Sequence, residues 1–211
     1  MSELFVLTER PSVYLASKSP RRQELLRQLG VEFDELLLRE APGRRRDIVE
    51  APRQGEAPLE YVKRIARLKA SLGWHRMERR GLAPRPVLAA DTEVVLDGVA
   101  LGKPADAAAA VAMLAALSGR THEVITAIAV RWQTQLVLAI STSRVTFRAI
   151  ARDEIERYVA TGEPFEKAGS YAIQGKAAVF VQHLEGSYSG VMGLPLFEVA
   201  EILARIGFPV L

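Results

Sequence analysis

A chain of 211 residues with 28 Lys and Arg against 25 Asp and Glu has a formal net charge of +3, too small a surplus to mark a nucleic-acid binder. Its 49% hydrophobic content is that of a globular protein with a substantial core, and the absence of cysteine excludes disulfides, thiolate metal sites and a cysteine nucleophile. No apolar run approaches the ~20 residues of a membrane span, and Met1-Ser2-Glu3-Leu4 lacks the basic start of a signal peptide, so the expectation is a soluble cytoplasmic protein without membrane or nucleic-acid partners.

Val13-Tyr14-Leu15-Ala16 reads as a short buried strand that runs into the turn Ser17-Lys18-Ser19-Pro20-Arg21-Arg22. A helix follows, with Ser19 as N-cap, Pro20 at its first position, Leu25, Leu26 and Leu29 as its buried stripe and Gly30 at its end. Glu32 to Leu38 predicts a second strand, and Arg39 to Pro58 a long loop that includes the basic run Arg44-Arg45-Arg46. Pro58 opens a long helix with Leu59, Val62, Ile65 or Ala66, and Leu68 on one face. Pro86 to Ala90 predicts a buried strand ending at Asp91, and Asp97-Gly98 a two-residue hairpin turn. Asp106 caps an alanine-rich helix that stops near Gly119. His122 to Arg131 and Gln135 to Ala149 predict antiparallel neighbours, Arg152 to Ala160 a helix, Ala168 to Gly175 a glycine-flanked loop and Val179-Phe180-Val181 a strand. A last helix runs from about Pro195 to Ile206. No linker or repeat divides the chain, so residues 1–211 read as a single α/β domain, a mixed sheet flanked by helices.

Three features point to chemistry. A helix N-terminus is already electropositive, so Arg21 and Arg22 in the first turn, beside the hydroxyls of Ser17 and Ser19, make sense if a polyanion docks there; the plain alternative pairs them with surface carboxylates such as Glu24. Neither a P-loop nor a dinucleotide fingerprint is present. Asp91 at a strand end suits a general base or a magnesium ligand, or simply a turn cap. Lys69 and Lys103 would add the positive charge that a phosphoryl-transfer site needs. In Ala168 to Gly175, Gln174 offers both a donor and an acceptor, which suits the edge of a uracil or thymine base. His122 reads as a surface or packing residue, and no histidine has companions at zinc-ligand spacing.

These stretches, together with Ala66 to Ala70, Ala89 to Val95, Leu101 to Pro104, Ser118 to Thr126, Lys167 to Gly175 and Gly186 to Pro195, resemble the Maf family of nucleoside triphosphate pyrophosphatases. The resemblance implies an elongated architecture, similar to inosine triphosphate pyrophosphatases, with a cleft between two lobes. It also implies hydrolysis of a nucleotide to the monophosphate and pyrophosphate with a divalent metal, Mg²⁺ or Mn²⁺, and common dimers. It places the family's catalytic acidic residue on Asp91 and its substrate-discriminating positions on Arg21, Thr92 and Gln174, with Ile173-Gln174-Gly175 similar to the dTTP and UTP branch. The other readings are a 7-methyl-GTP or inosine triphosphate pyrophosphatase, and a non-catalytic regulator of cell division. Family members carry a short acidic run after the second strand; here that segment is basic, and Glu40, then Asp47, are the candidates for its glutamate.

Overall fold

The computed structural model describes residues 11–38, 48 and 50–210. One seven-stranded mixed sheet organises them, in the order β2-β1-β3-β5-β6-β7, with the two-residue β4 paired to β3. β1 (Ser12–Leu15) lies parallel to β2 (Glu32–Glu35) and to β3 (Val87–Leu96). β5 (Thr121–Trp132) and β6 (Gln135–Phe147) form the expected antiparallel pair, and β7 (Val181–Glu185) closes the edge. β4 (Val99–Ala100) returns from β3 through Asp97 and Gly98, both at positive φ, the backbone that a two-residue turn between twisted strands demands.

Among the described residues six α-helices cover the sheet. α2 (Pro58–Arg79) buries Tyr61, Val62, Ile65, Ala66, Lys69, Ala70, Gly73, Trp74 and Met77, a helical stripe that packs on Val87, Ala89 and Val95 of β3. Leu59 and Leu68, expected on that face, are instead 37% and 39% exposed, because the stripe is set by Tyr61 and Lys69. On the opposite face α1 (Pro20–Gln28) and α6 (Leu196–Arg205) enclose Leu88, Ala90, Ile128 and Val130. β5 is covered on both sides there, so Ala127 to Val130 form a continuous fully buried run. Farther along the same strands α3 (Ala107–Leu117) and α4 (Arg152–Ala160) build a separate core with Val124, Val145, Phe147, Tyr171 and Phe180. The long strands β3, β5 and β6 thus pass through two lobes, and the short α5 (Tyr188–Met192) packs on β5 and β6 near their junction.

Three expected boundaries move. β2 stops at Glu35; Leu36 still donates its N–H to the Leu15 carbonyl at 3.0 Å, and Leu36 and Leu38 stay buried beyond the strand's end. Residues 176–180 form a 3₁₀ turn and the last strand begins only at Val181. β3 does not end at Asp91 but continues to Leu96, with Asp91 opposite Ala127 of β5.

Candidate active site

β1 leaves β3 after Leu15 and Leu88, and β4 joins it only at Val95. Between those points the β1-side flank of β3 is open, and a cavity of about 730 Å³ occupies the gap, within the range of nucleotide-sized pockets. Ser19, Arg21, Arg22, Lys69, Asp91, Thr92, Lys103 and Gln174 all line it, and Ser17 lines an adjoining hollow that shares Arg21, Lys69, Lys103 and Gln174. Residues from five regions of sequence therefore meet at the junction of the lobes. Asp91 is not at a strand end, as expected, but buried in mid-strand where that flank is open.

Alternation along β3 sorts the polar groups. Asp91 and Glu93 share the α2 face with Val95, whereas Thr92 faces the α1 side. Lys69 lies in the buried stripe of α2, so its ammonium is carried to Asp91 Oδ1 at 2.8 Å. The same nitrogen is 2.9 Å from Glu50 Oε1. Burial is the main influence raising the Asp91 carboxyl above its ordinary value; Lys69 and Arg22 oppose it. A buried carboxylate in this balance is a stronger base than an exposed one yet stays beside two cations.

Glu93 was not foreseen. Its Oε2 is buried without a partner. Burial, then the neighbouring Asp91 charge, pushes this carboxyl up to about 7. The i, i+2 spacing of Asp91 and Glu93 in a strand was the available signal. Glu50 was also passed over. Arg64 of α2 holds its loop by forking onto Glu56, with both nitrogen–oxygen distances 2.6 Å, and by reaching the Ala51 carbonyl at 3.0 Å. Glu40 and Asp47 lie outside the described residues.

The two arginines of the first turn part company. Arg22 donates from Nε to the Gly193 carbonyl at 2.8 Å, from one terminal nitrogen to Ser17 Oγ at 3.2 Å and from the other to Thr92 Oγ1 at 3.3 Å. Thr126 gives its only hydroxyl proton to the Gly190 carbonyl, so the 2.8 Å contact between Thr92 and Thr126 must be donated by Thr92. Arg22 thus starts a relay that ties α1 to β3, β5 and α5, a bracing role beside any contact with an anion. Ser19 makes no side-chain cap; Ser17 Oγ accepts the Ser19 backbone N–H at 3.2 Å in its place. Arg21, half-buried, also lines the cavity; burial lowers its guanidinium and the nearby Tyr158 and Glu163 oppose that effect.

His122 is a packing residue, as read, but an interior one. It is 2% exposed, its Nε2 lies 2.8 Å from the Tyr171 hydroxyl, and burial pushes it down to about 4, which keeps it neutral.

Carboxylates suit a hard divalent cation, but among the described residues no group of three or more His, Cys, Asp or Glu side chains could hold one. Asp91 with Glu50 or Glu93 offers two ligands, which is how Mg²⁺ is bound when substrate phosphates and water complete its shell. Among the described residues no helix is long and apolar enough to cross a membrane.

Comparison with known proteins places this arrangement. A protein of Nitrosomonas europaea named dTTP/UTP pyrophosphatase is 52% identical over 198 residues, 94% of this chain and 96% of its own. One of the same name from Cupriavidus metallidurans is 56% identical over 195 residues, 92% of this chain and 96% of its own. A solved structure of the Staphylococcus aureus Ham1 protein aligns at a TM-score of 0.45 and 13% identity over 64% of this chain and 71% of that one, too slight a likeness to argue from. The family described as Maf-like protein matches residues 12–206, so the chain belongs to the Maf-like protein family.

Proposed function

We propose that this protein hydrolyses dTTP and UTP between the α and β phosphates, releasing the nucleoside monophosphate and pyrophosphate. The observation that carries this reading is the convergence on one cavity of a buried Lys69–Asp91 pair, the cations Arg21 and Lys103, and Gln174. The names of relatives 52% and 56% identical over most of the chain support the pyrimidine nucleotide as substrate.

The chemistry follows from charge and position. The triphosphate lies against the 17–22 turn, where first-turn amides, Arg21 and Lys103 offset its charge. Asp91, held basic by burial, accepts the proton of the water that attacks the α-phosphorus, while Lys69 fixes its carboxylate and stabilises its charge. Gln174 reads the pyrimidine edge, its amide donating to a carbonyl oxygen and its oxygen accepting from N3–H. Asp91, with Glu50 or Glu93, would hold a divalent cation, Mg²⁺ or Mn²⁺, which when bound supplies charge neutralisation at the phosphates. The same reading carries a homodimer and a cytoplasmic location; sedimentation of the pure protein tests the first.

The test is a panel of nucleoside triphosphates incubated with the pure protein and Mg²⁺ or Mn²⁺, with product identification. Monophosphate and pyrophosphate from dTTP and UTP support the reading. Preference for 7-methyl-GTP or ITP, or release of inorganic phosphate alone, contradicts it.

A further inference from the structure

Gln174 sits on a loop without regular secondary structure, yet a residue that discriminates bases must be held to within a fraction of an ångström. Hydrogen bonds beside it show how. The Ala172 carbonyl, two residues before Gln174, accepts the Gly175 backbone N–H at 3.0 Å, which closes the turn around Gln174. The Tyr158 hydroxyl donates to Glu163 Oε1 at 2.9 Å. The second oxygen, Oε2, accepts from the Lys176 backbone N–H, two residues after Gln174, at 3.1 Å. The chain Tyr158–Glu163–Lys176 therefore grips the backbone just after the reading residue, and the turn closed by Ala172 and Gly175 carries that hold back to Gln174.

The anchors of this grip are firm. Tyr158 is 4% exposed on α4 and packs edge-on against Phe180, ring centroids 5.4 Å apart. Burial, then the neighbouring Glu163, raises its hydroxyl well above the ordinary tyrosine value, so the proton needed for donation stays in place. A Cβ built on Gly175 would fall 2.4 Å from Glu163 Oε1, so the carboxylate is seated in space that only glycine leaves open. Arg21, which lines the cavity, feels both groups electrostatically.

We infer that Tyr158 and Glu163 are positioning residues for base discrimination, acting through the backbone that follows Gln174, with a pyrimidine nucleotide as the discriminated ligand. The inference rests on the substrate reading above. Neither residue needs to touch the reacting phosphates.

The experiment compares kcat and KM for UTP, dTTP and CTP in the wild type and in Tyr158→Phe, Glu163→Gln, Gln174→Ala and the Tyr158→Phe/Gln174→Ala double variant. Tyr158→Phe keeps the ring in the core and removes only the hydroxyl; Glu163→Gln keeps shape but turns N–H donors toward an N–H or O–H already donating. Each should cut the UTP-over-CTP ratio of kcat/KM by about tenfold, the scale of one recognition hydrogen bond. The change should come from a higher KM for UTP, with kcat within about threefold. Because the pair acts through Gln174, the double variant should discriminate no worse than Gln174→Ala. A folded Tyr158→Phe or Glu163→Gln with an unchanged ratio overturns the inference, as do additive losses in the double variant or an equal loss on all three nucleotides. A wild type without preference for UTP and dTTP overturns the substrate reading and this inference with it, an outcome visible before any variant is made.

Discussion

Replacing Glu93 by Gln tests the electrostatics of the cavity through stability rather than turnover. In the folded protein this carboxyl is pushed up to about 7 from an ordinary 4.5, first by burial and then by Asp91, and one oxygen has no partner. The folded state therefore binds the proton more tightly than the unfolded chain. The group's stabilising contribution is full below the unfolded value and is lost as pH rises through about 7. The gap between the two values corresponds to ~3 kcal/mol, and water in the cavity reduces this to about 1–2 kcal/mol. Glutamine cannot ionise, so the variant should match the wild type near pH 4.5 and exceed it by about 1–2 kcal/mol at pH 8. For a chain of this size that is a Tm higher by roughly 3–6 °C. Thermal unfolding of both proteins in EDTA, to keep metal out of the balance, measures it across the range. A difference that does not change with pH, or a variant less stable at pH 8, would refute the reasoning.

Two further outcomes follow from the packing. Arg22→Lys keeps the charge but cannot make the three directed bonds to Gly193, Ser17 and Thr92, so it should cost about 2 kcal/mol in a denaturant titration. Gly73→Ala gains about 1 kcal/mol of helix propensity. It also drives a methyl to 2.7 Å from Val87 Cγ1, a stiff and fully buried side chain, where overpacking costs about 1–3 kcal/mol; the net should be a loss, read as a lower Tm.

Much of this arrangement was legible in the sequence where one local rule governs one element. The Asp97-Gly98 turn, the Asp106 cap, which accepts the Ala109 N–H at 2.8 Å, and the span of α4 each follow from a few adjacent residues. The gathering of Arg21, Lys69, Asp91 and Lys103 was also anticipated, from charge that a core has no use for, and Gln174 was added on its paired donor and acceptor and on the family resemblance. What was missed depends on the third dimension. β3 looked finished at Asp91 because Asp91, Thr92 and Glu93 interrupt its apolar run; in the fold they line a cavity rather than a core. The buried face of α2 was misjudged too: with Lys69 drawn inward to Asp91, Leu59 and Leu68 turn outward. Glu50 needed the Arg64–Glu56 brace to be placed. The Tyr158–Glu163 grip joins residues no pattern connects, an aromatic of the α4 stripe and a carboxylate in a turn.

The most direct test is Asp91→Asn, assayed for pyrophosphate release from UTP and, separately, for UTP binding. Lys69 retains Glu50 as a partner, so the substitution does not strand a buried ammonium. Loss of a general base predicts turnover down about 10²–10⁴-fold, with the Kd for UTP within about threefold because Arg21, Lys103 and the 17–22 turn are untouched. Turnover within a few-fold of wild type, or binding lost in step with turnover, would contradict the account.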